Sequence, residues 1–226
     1  MDILKILFLY PHCFIIETAG VDNMVDFDKR INRKGTNAIK WTTVGQEVLP
    51  MWVADMEFKS PPSVIKALKE RADHGVFGYT TESSKYYQAI ADWMEKRHQW
   101  QIKKQWICNT SGIVSGISML INSITNPGEK IILQTPVYFS FFPMIENNGR
   151  RLVENPLKFE DGSYQMDFED LENKIDSKTR LLILCSPHNP VGRVWSEEEL
   201  RKLGEICFSN GVKIVSDEIH SDLIYP

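Results

Sequence analysis

Three short segments carry groups whose types and spacing suit chemistry. Asp217, in Ser216-Asp-Glu-Ile-His220, closes an apolar run, and a carboxylate there is costly to bury unless it is paired. A protonated pyridine nitrogen is one natural partner, because a neighbouring carboxylate keeps such a nitrogen charged; a solvated strand-end aspartate is the other reading. Cys185-Ser-Pro-His-Asn-Pro-Val-Gly192 follows a second apolar run. There the Asn189 side-chain amide could donate to an anionic ring oxygen, or Asn189-Pro190 could simply start a turn. Asn109-Thr-Ser-Gly-Ile-Val-Ser-Gly116 sets small and hydroxylated residues before an apolar-periodic helix. First-turn amides and the helix dipole make that a phosphate site, and the plainer reading has Ser111 as an ordinary N-cap. His220, three residues after Asp217, either reaches the same site or fills a loop.

The elements that must position these groups alternate along the chain. Ser60-Pro61-Pro62 opens a helix that Gly75 ends, with Val64, Ile65, Leu68 and Ala72 on one face. Tyr86 to Arg97 and Ile113 to Ile124 are further helices, the latter stopped by Asn126-Pro127-Gly128. Then follow a strand at Lys130 to Gln134, a helix at Val137 to Glu146, a strand at Arg151 to Glu154 and a helix at Asp167 to Lys174. Arg180 to Cys185 is continuously apolar, as a strand covered on both faces should be. Ser196-Glu-Glu-Glu199 is a capping box, and Lys213 to Asp217 is the next strand. Such alternation predicts an α/β fold with a mostly parallel central sheet, which binds ligands at the carboxyl ends of its strands.

Composition narrows the partners. Twenty-six basic against thirty acidic residues give a net charge of −4, which speaks against nucleic acid. Cys13, Cys108, Cys185 and Cys207 lie far apart without metal-ligand spacing, so reduced thiols in a cytoplasmic protein and no metal are expected. Ile3 to Ile16 is apolar but interrupted by Lys5, Pro11 and His12, and it is shorter than the ~20 residues of a membrane span. A signal peptide fits poorly, given Pro11 and His12 inside its core and Glu17 near any cleavage site. Residues 1–23 therefore read as an atypical extension, with translation expected to begin at Met24; 24–48 form an arm or part of a small domain, and 49–226 a large domain. No G-x-G-x-x-G follows a strand, and Ser63-Val-Ile-Lys66 lies in an amphipathic helix without the partner motifs of a β-lactamase.

Taken together with Asp26-Phe-Asp28, Arg33-Lys-Gly-Thr-Asn37, Leu49-Pro-Met-Trp-Val-Ala-Asp-Met-Glu-Phe58 and Phe77-Gly-Tyr-Thr80, the segments resemble the fold-type I pyridoxal-phosphate enzymes. Within them the similarity is to the PatB/MalY group of cystathionine (cysteine-S-conjugate) β-lyases in the class I/II aminotransferase superfamily, and it runs from Met24 to the last residue. The resemblance implies that the amides of Ile113 and Val114 hold the cofactor phosphate and that Tyr138 stacks on the pyridine ring. It also implies that Asn189 bonds the phenolic oxygen and that Asp217 pairs with the ring nitrogen. His220 stands where many aminotransferases carry a tyrosine. Tyr79 would reach a phosphate in the neighbouring subunit of a homodimer, and Trp52 and Asp55 would lie near an amino-acid substrate.

The implied reaction is loss of the substrate α-proton to an enzyme lysine, then β-elimination of a thiolate, giving a thiol, pyruvate and ammonia. Transamination uses the same binding residues and is the near alternative; a non-catalytic binding module is the alternative of another class. The lysine is expected a few tens of residues after Asp217, in a Ser-x-x-Lys context. Lys213 shares a strand face with Asp217 but stands ~13 Å away at the wrong end. No catalytic residue is therefore assigned within the chain. It is expected to be the amino-terminal part of a lyase, inactive by itself and left with an uncovered sheet edge.

Overall fold

The computed structural model describes residues 7–9, 26–45 and 47–225. Met24 and, apart from Leu7–Leu9, the extension at 1–23 lie outside the described residues. The chain divides into two compact units, one of Met1–Cys13 with Ser83–Pro226 and one of Phe14–Glu82.

The larger unit opens with β1 (Leu7–Leu9), which pairs in parallel with β2 (Ile107–Asn109). Its central sheet has four strands, β3 (Lys130–Leu133), β4 (Arg151–Glu154), β7 (Thr179–Cys185) and β8 (Lys213–Asp217). They lie in the order β4-β3-β7-β8, all parallel, so β4 and β8 are the edges. The apolar run of β7 is buried on both faces. Leu181, Ile183 and Cys185 enter one core with α4 (Ile113–Ile124) and α5 (Phe141–Glu146), whereas Leu182 and Leu184 enter another with α6 (Phe168–Lys174) and α7 (Glu197–Ser209). Ile131 and Leu133 of β3 take the first face and Ile132 the second, the period-two alternation of a pleated strand.

This order has a consequence for ligands. From β3 the chain passes through α5 on one face to β4, and from β7 it passes through α7 on the other face to β8. Connections leaving adjacent strands to opposite faces open a crevice between their carboxyl ends. Here the crevice lies between the loops that follow Leu133 and Cys185.

Local signals account for most element ends. Ser196 accepts from the Glu199 amide while the Glu199 carboxylate accepts from the Ser196 N–H, the reciprocal cap of α7. The strand–helix alternation proposed from sequence is present, with its largest shortening in the helix expected over Val137 to Glu146, which begins at Phe141 because 137–140 are spent on the turn out of β3. A hairpin of β5 (Lys158–Glu160) and β6 (Ser163–Gln165) was not expected. Asp161 and Gly162 make its turn at φ 50° and 77°, the conformation that favours Asp-Gly in two-residue hairpins. α3 (Ser84–His98) completes the unit.

The smaller unit holds the short helix α1 (Ile39–Thr42) and α2 (Pro62–His74), the latter with proline at its start and Gly75 in the left-handed conformation at its end. No residue of α2 is fully buried; on its apolar face Val64 and Ile65 are half-buried and Leu68 and Ala72 exposed.

Candidate functional site

Six of the residues singled out from sequence stand at the carboxyl ends of β3, β7 and β8 or at the start of α4. Asp217 ends β8 opposite Cys185, and the Ser186 N–H donates to its backbone carbonyl at 3.0 Å. Its side chain is buried, and the Ile219 N–H donates to Oδ1 at 3.1 Å. Among the described residues no lysine or arginine forms an ion pair with it. Burial is the main influence and pushes its pKa up, outweighing the opposite pull of the Ile219 bond and of His220 nearby. The solvated strand-end reading of Asp217 is thereby overturned.

Asn189 lies half-buried in the loop after β7, its backbone N–H pointing at Cys185 Sγ at 3.4 Å. Tyr138 lies in the loop after β3, half-buried, with its ring edge-on to Phe141 at 5.5 Å. Tyr138 and Ile113 pack on the same core cluster, which also includes Cys185 and Val215. His220 is half-buried in the turn after β8.

At the start of α4 the sequence reading is corrected. Gly112, not Ser111, occupies the N-cap, and no side chain caps the helix. A glycine there has no side-chain oxygen to offer, so the amides of Ile113, Val114 and Ser115 open the helix without the usual internal substitute for an anion. The Thr110 hydroxyl instead donates to the Gly112 carbonyl at 3.0 Å.

These features fit a phosphorylated pyridine. The uncapped amides suit its phosphate. A buried carboxylate without a cation among the described residues suits a protonated ring nitrogen, and the half-buried Tyr138 of the loop after β3 suits the ring face. Two cavities lie elsewhere: one of about 520 Å³ beside α2, and one of about 390 Å³ between the end of α3 and residues 221–224. Neither is lined by the crevice residues. Among the described residues no group of His, Cys, Asp and Glu is gathered so as to hold a metal ion.

The remaining three residues belong to the smaller unit. Tyr79 is fully exposed and Trp52 is largely exposed. Asp55 is held in an ion cluster that sequence reasoning missed: Arg33 Nη2 at 2.5 Å and Lys40 Nζ at 3.5 Å, with Glu57 accepting from both cations at 3.0 Å. Trp41 Nε1 also donates to Glu57. The bonded partners lie 15 to 24 residues apart, beyond the reach of local pattern.

Comparison with known proteins agrees with this reading. The family model "Aminotransferase class I and II" matches residues 47–226. Cystathionine beta-lyase PatB of Bacillus subtilis is 50% identical over 206 residues, covering 88% of this chain and 53% of that protein. Cystalysin from Treponema denticola, solved with pyridoxal 5′-phosphate, is 43% identical with a TM-score of 0.84, over 90% of this chain and 54% of its own. The PLP-bound C-S lyase of Staphylococcus hominis is 37% identical with a TM-score of 0.79, over 85% of this chain and 50% of its own. The chain thus spans about half the length of the relatives it matches.

Proposed function

Since the chain belongs to the class I and II aminotransferase family, we propose that it forms the cofactor-gripping part of a pyridoxal-phosphate-dependent C–S β-lyase. The reading rests on Asp217, a buried carboxylate with no cationic side chain paired to it among the described residues, at the carboxyl end of a parallel strand. It is supported by relatives named as cystathionine β-lyase and C-S lyase.

Pyridoxal phosphate, when bound, supplies an electron sink that acidifies the α-proton of an amino acid and lets a β-thiolate depart. The chain's own residues hold and tune it. Asp217 keeps a proton on the ring nitrogen, because separating that charge pair in a buried place is costly. Asn189 donates its amide to the phenolic oxygen, with His220 beside it. Tyr138 covers the ring face, and the Ile113 and Val114 amides hold the phosphate. Trp52 and Asp55 serve the amino-acid substrate, while the exposed Tyr79 reaches the phosphate site of a second subunit in a homodimer. The free thiols of Cys108, Cys185 and Cys207 suit a reducing cytoplasm. No described helix is long and apolar enough to cross a membrane.

The test is the reading frame past codon 226 and an assay of its product. A Ser-x-x-Lys segment, with equal release of thiol and pyruvate from cystathionine, is expected. A stop at once, a continuation without that lysine, or keto-acid exchange without pyruvate would overturn the reading.

A further inference from the structure

We propose that His188 is a positioning residue that fixes the separation of Tyr138 and Asn189 across the crevice between β3 and β7. The inference rests on the cofactor reading above. The His188 side chain is 2% exposed, and its Nε2 lies 2.9 Å from the Pro136 carbonyl oxygen. A carbonyl only accepts, so Nε2 carries the proton and donates. Nδ1 is buried with no partner among the described residues, as an unprotonated ring nitrogen can be. Burial also works against charging the ring, so the imidazole is a neutral donor.

The bond joins the two loops that carry the ring contacts. Pro136 is two residues before Tyr138, and His188 immediately precedes Asn189. The ladder between β3 and β7 runs as far as Leu133 opposite Ile183, where β3 ends, while β7 continues beside β8 to Cys185. His188 ties the two loops together beyond that point.

Its own side of the bridge is stiff. The His188 N–H donates to the Arg193 carbonyl at 2.7 Å, and the Gly192 N–H donates to the His188 carbonyl at 2.8 Å. Arg193 is gripped by both Glu199 oxygens, at 2.9 Å each, which anchors the loop to the first turn of α7. The His188 ring meets Trp195 edge-on at 5.3 Å, and Trp195 Nε1 donates to the Cys185 carbonyl at 3.0 Å. A strut with one end fixed to α7 sets where the Pro136–Tyr138 segment sits, and small displacements of contact groups are costly.

The experiment uses the 226-residue chain and two probes in calorimetric titration: pyridoxine 5′-phosphate, which lacks the aldehyde and so cannot react with surface lysines, and inorganic phosphate. His188→Gln places an amide nitrogen where Nε2 stands; His188→Asn is too short to reach Pro136. H188N is expected to bind pyridoxine phosphate about tenfold more weakly, with unchanged phosphate affinity, and H188Q to recover to within about threefold. His188→Leu should repeat the H188N result. Wild-type affinity for pyridoxine phosphate in H188N, equal weakness in H188Q, or parallel loss of both probes would overturn the positioning role. Equal affinity of the wild-type chain for both probes would overturn the ring site itself, and His188's part in it.

Discussion

The Asp217 carboxylate accepts a hydrogen bond from the Ile219 backbone N–H, 3.1 Å away, in a place that water hardly reaches. One such bond falls well short of replacing the hydration of a carboxylate, and among the described residues no lysine or arginine is paired with it. By itself the group therefore destabilises the fold, and a cationic partner would offset that cost.

That gives a pH-dependent prediction. The folded-state pKa of Asp217 lies above its ordinary value of 3.8. Below 3.8 the group is protonated in both folded and unfolded chains and costs nothing; as pH rises toward the folded pKa, the unfolded chain releases the proton first, and stability falls. Asp217→Asn removes this penalty. Its melting temperature should exceed wild type at pH 7, and the difference should vanish at acid pH. A D217N chain that melts lower than wild type at pH 7 would show that the carboxylate is well paired by the chain itself.

A second prediction concerns Arg150 and the end of α4. The buried guanidinium donates to the Thr125 hydroxyl at 2.9 Å, the Thr125 carbonyl at 2.6 Å and Asn122 Oδ1 at 2.9 Å, and also to the Asn148 carbonyl. It has no acidic partner among the described residues. The helix C-terminus takes that place, since its free carbonyls carry partial negative charge. Arg150→Met should cost about 2–3 kcal/mol in chemical denaturation, the scale of lost charged hydrogen bonds.

Asp55 allows a test of a binding role against a structural one. Arg33, through its hydrogen bond, holds the Asp55 carboxyl below its ordinary value of 3.8, with Lys40 adding to the effect. A depressed acid stabilises above its ordinary pKa and loses that contribution as pH falls through the folded value. Asp55→Asn should lower the melting temperature at pH 7, less so in about 1 M salt, where exposed charges are screened. No change at pH 7 would leave the substrate as the reason for this residue.

How much of this was legible beforehand depends on the range of the signal. The capping box at Ser196, the proline start and glycine stop of α2 and the apolar run of β7 are local patterns, and they fold as read. The Asp161-Gly162 hairpin also had its signal, a turn pair between Phe159 and Tyr164, which was passed over. Gly112 displaced Ser111 from the N-cap because a cap is fixed by where the helix starts, and composition blurs that by a residue. The Arg33–Asp55 cluster and the His188–Pro136 bond, 52 residues apart, depend on tertiary placement and leave no periodic trace. For the site, the residue types suggested a phosphate and a ring nitrogen, but Tyr138, Trp52, Asp55 and Tyr79 came from the family resemblance alone.

The central claim is that Asp217 holds the charged nitrogen of a phosphorylated pyridine. Calorimetric titration of wild-type and D217N chains with pyridoxine 5′-phosphate tests it most directly. The account predicts a variant that is more heat-stable at pH 7 yet binds about ten- to a hundredfold more weakly, the value of a charged hydrogen bond. Equal affinity in the two chains would contradict it.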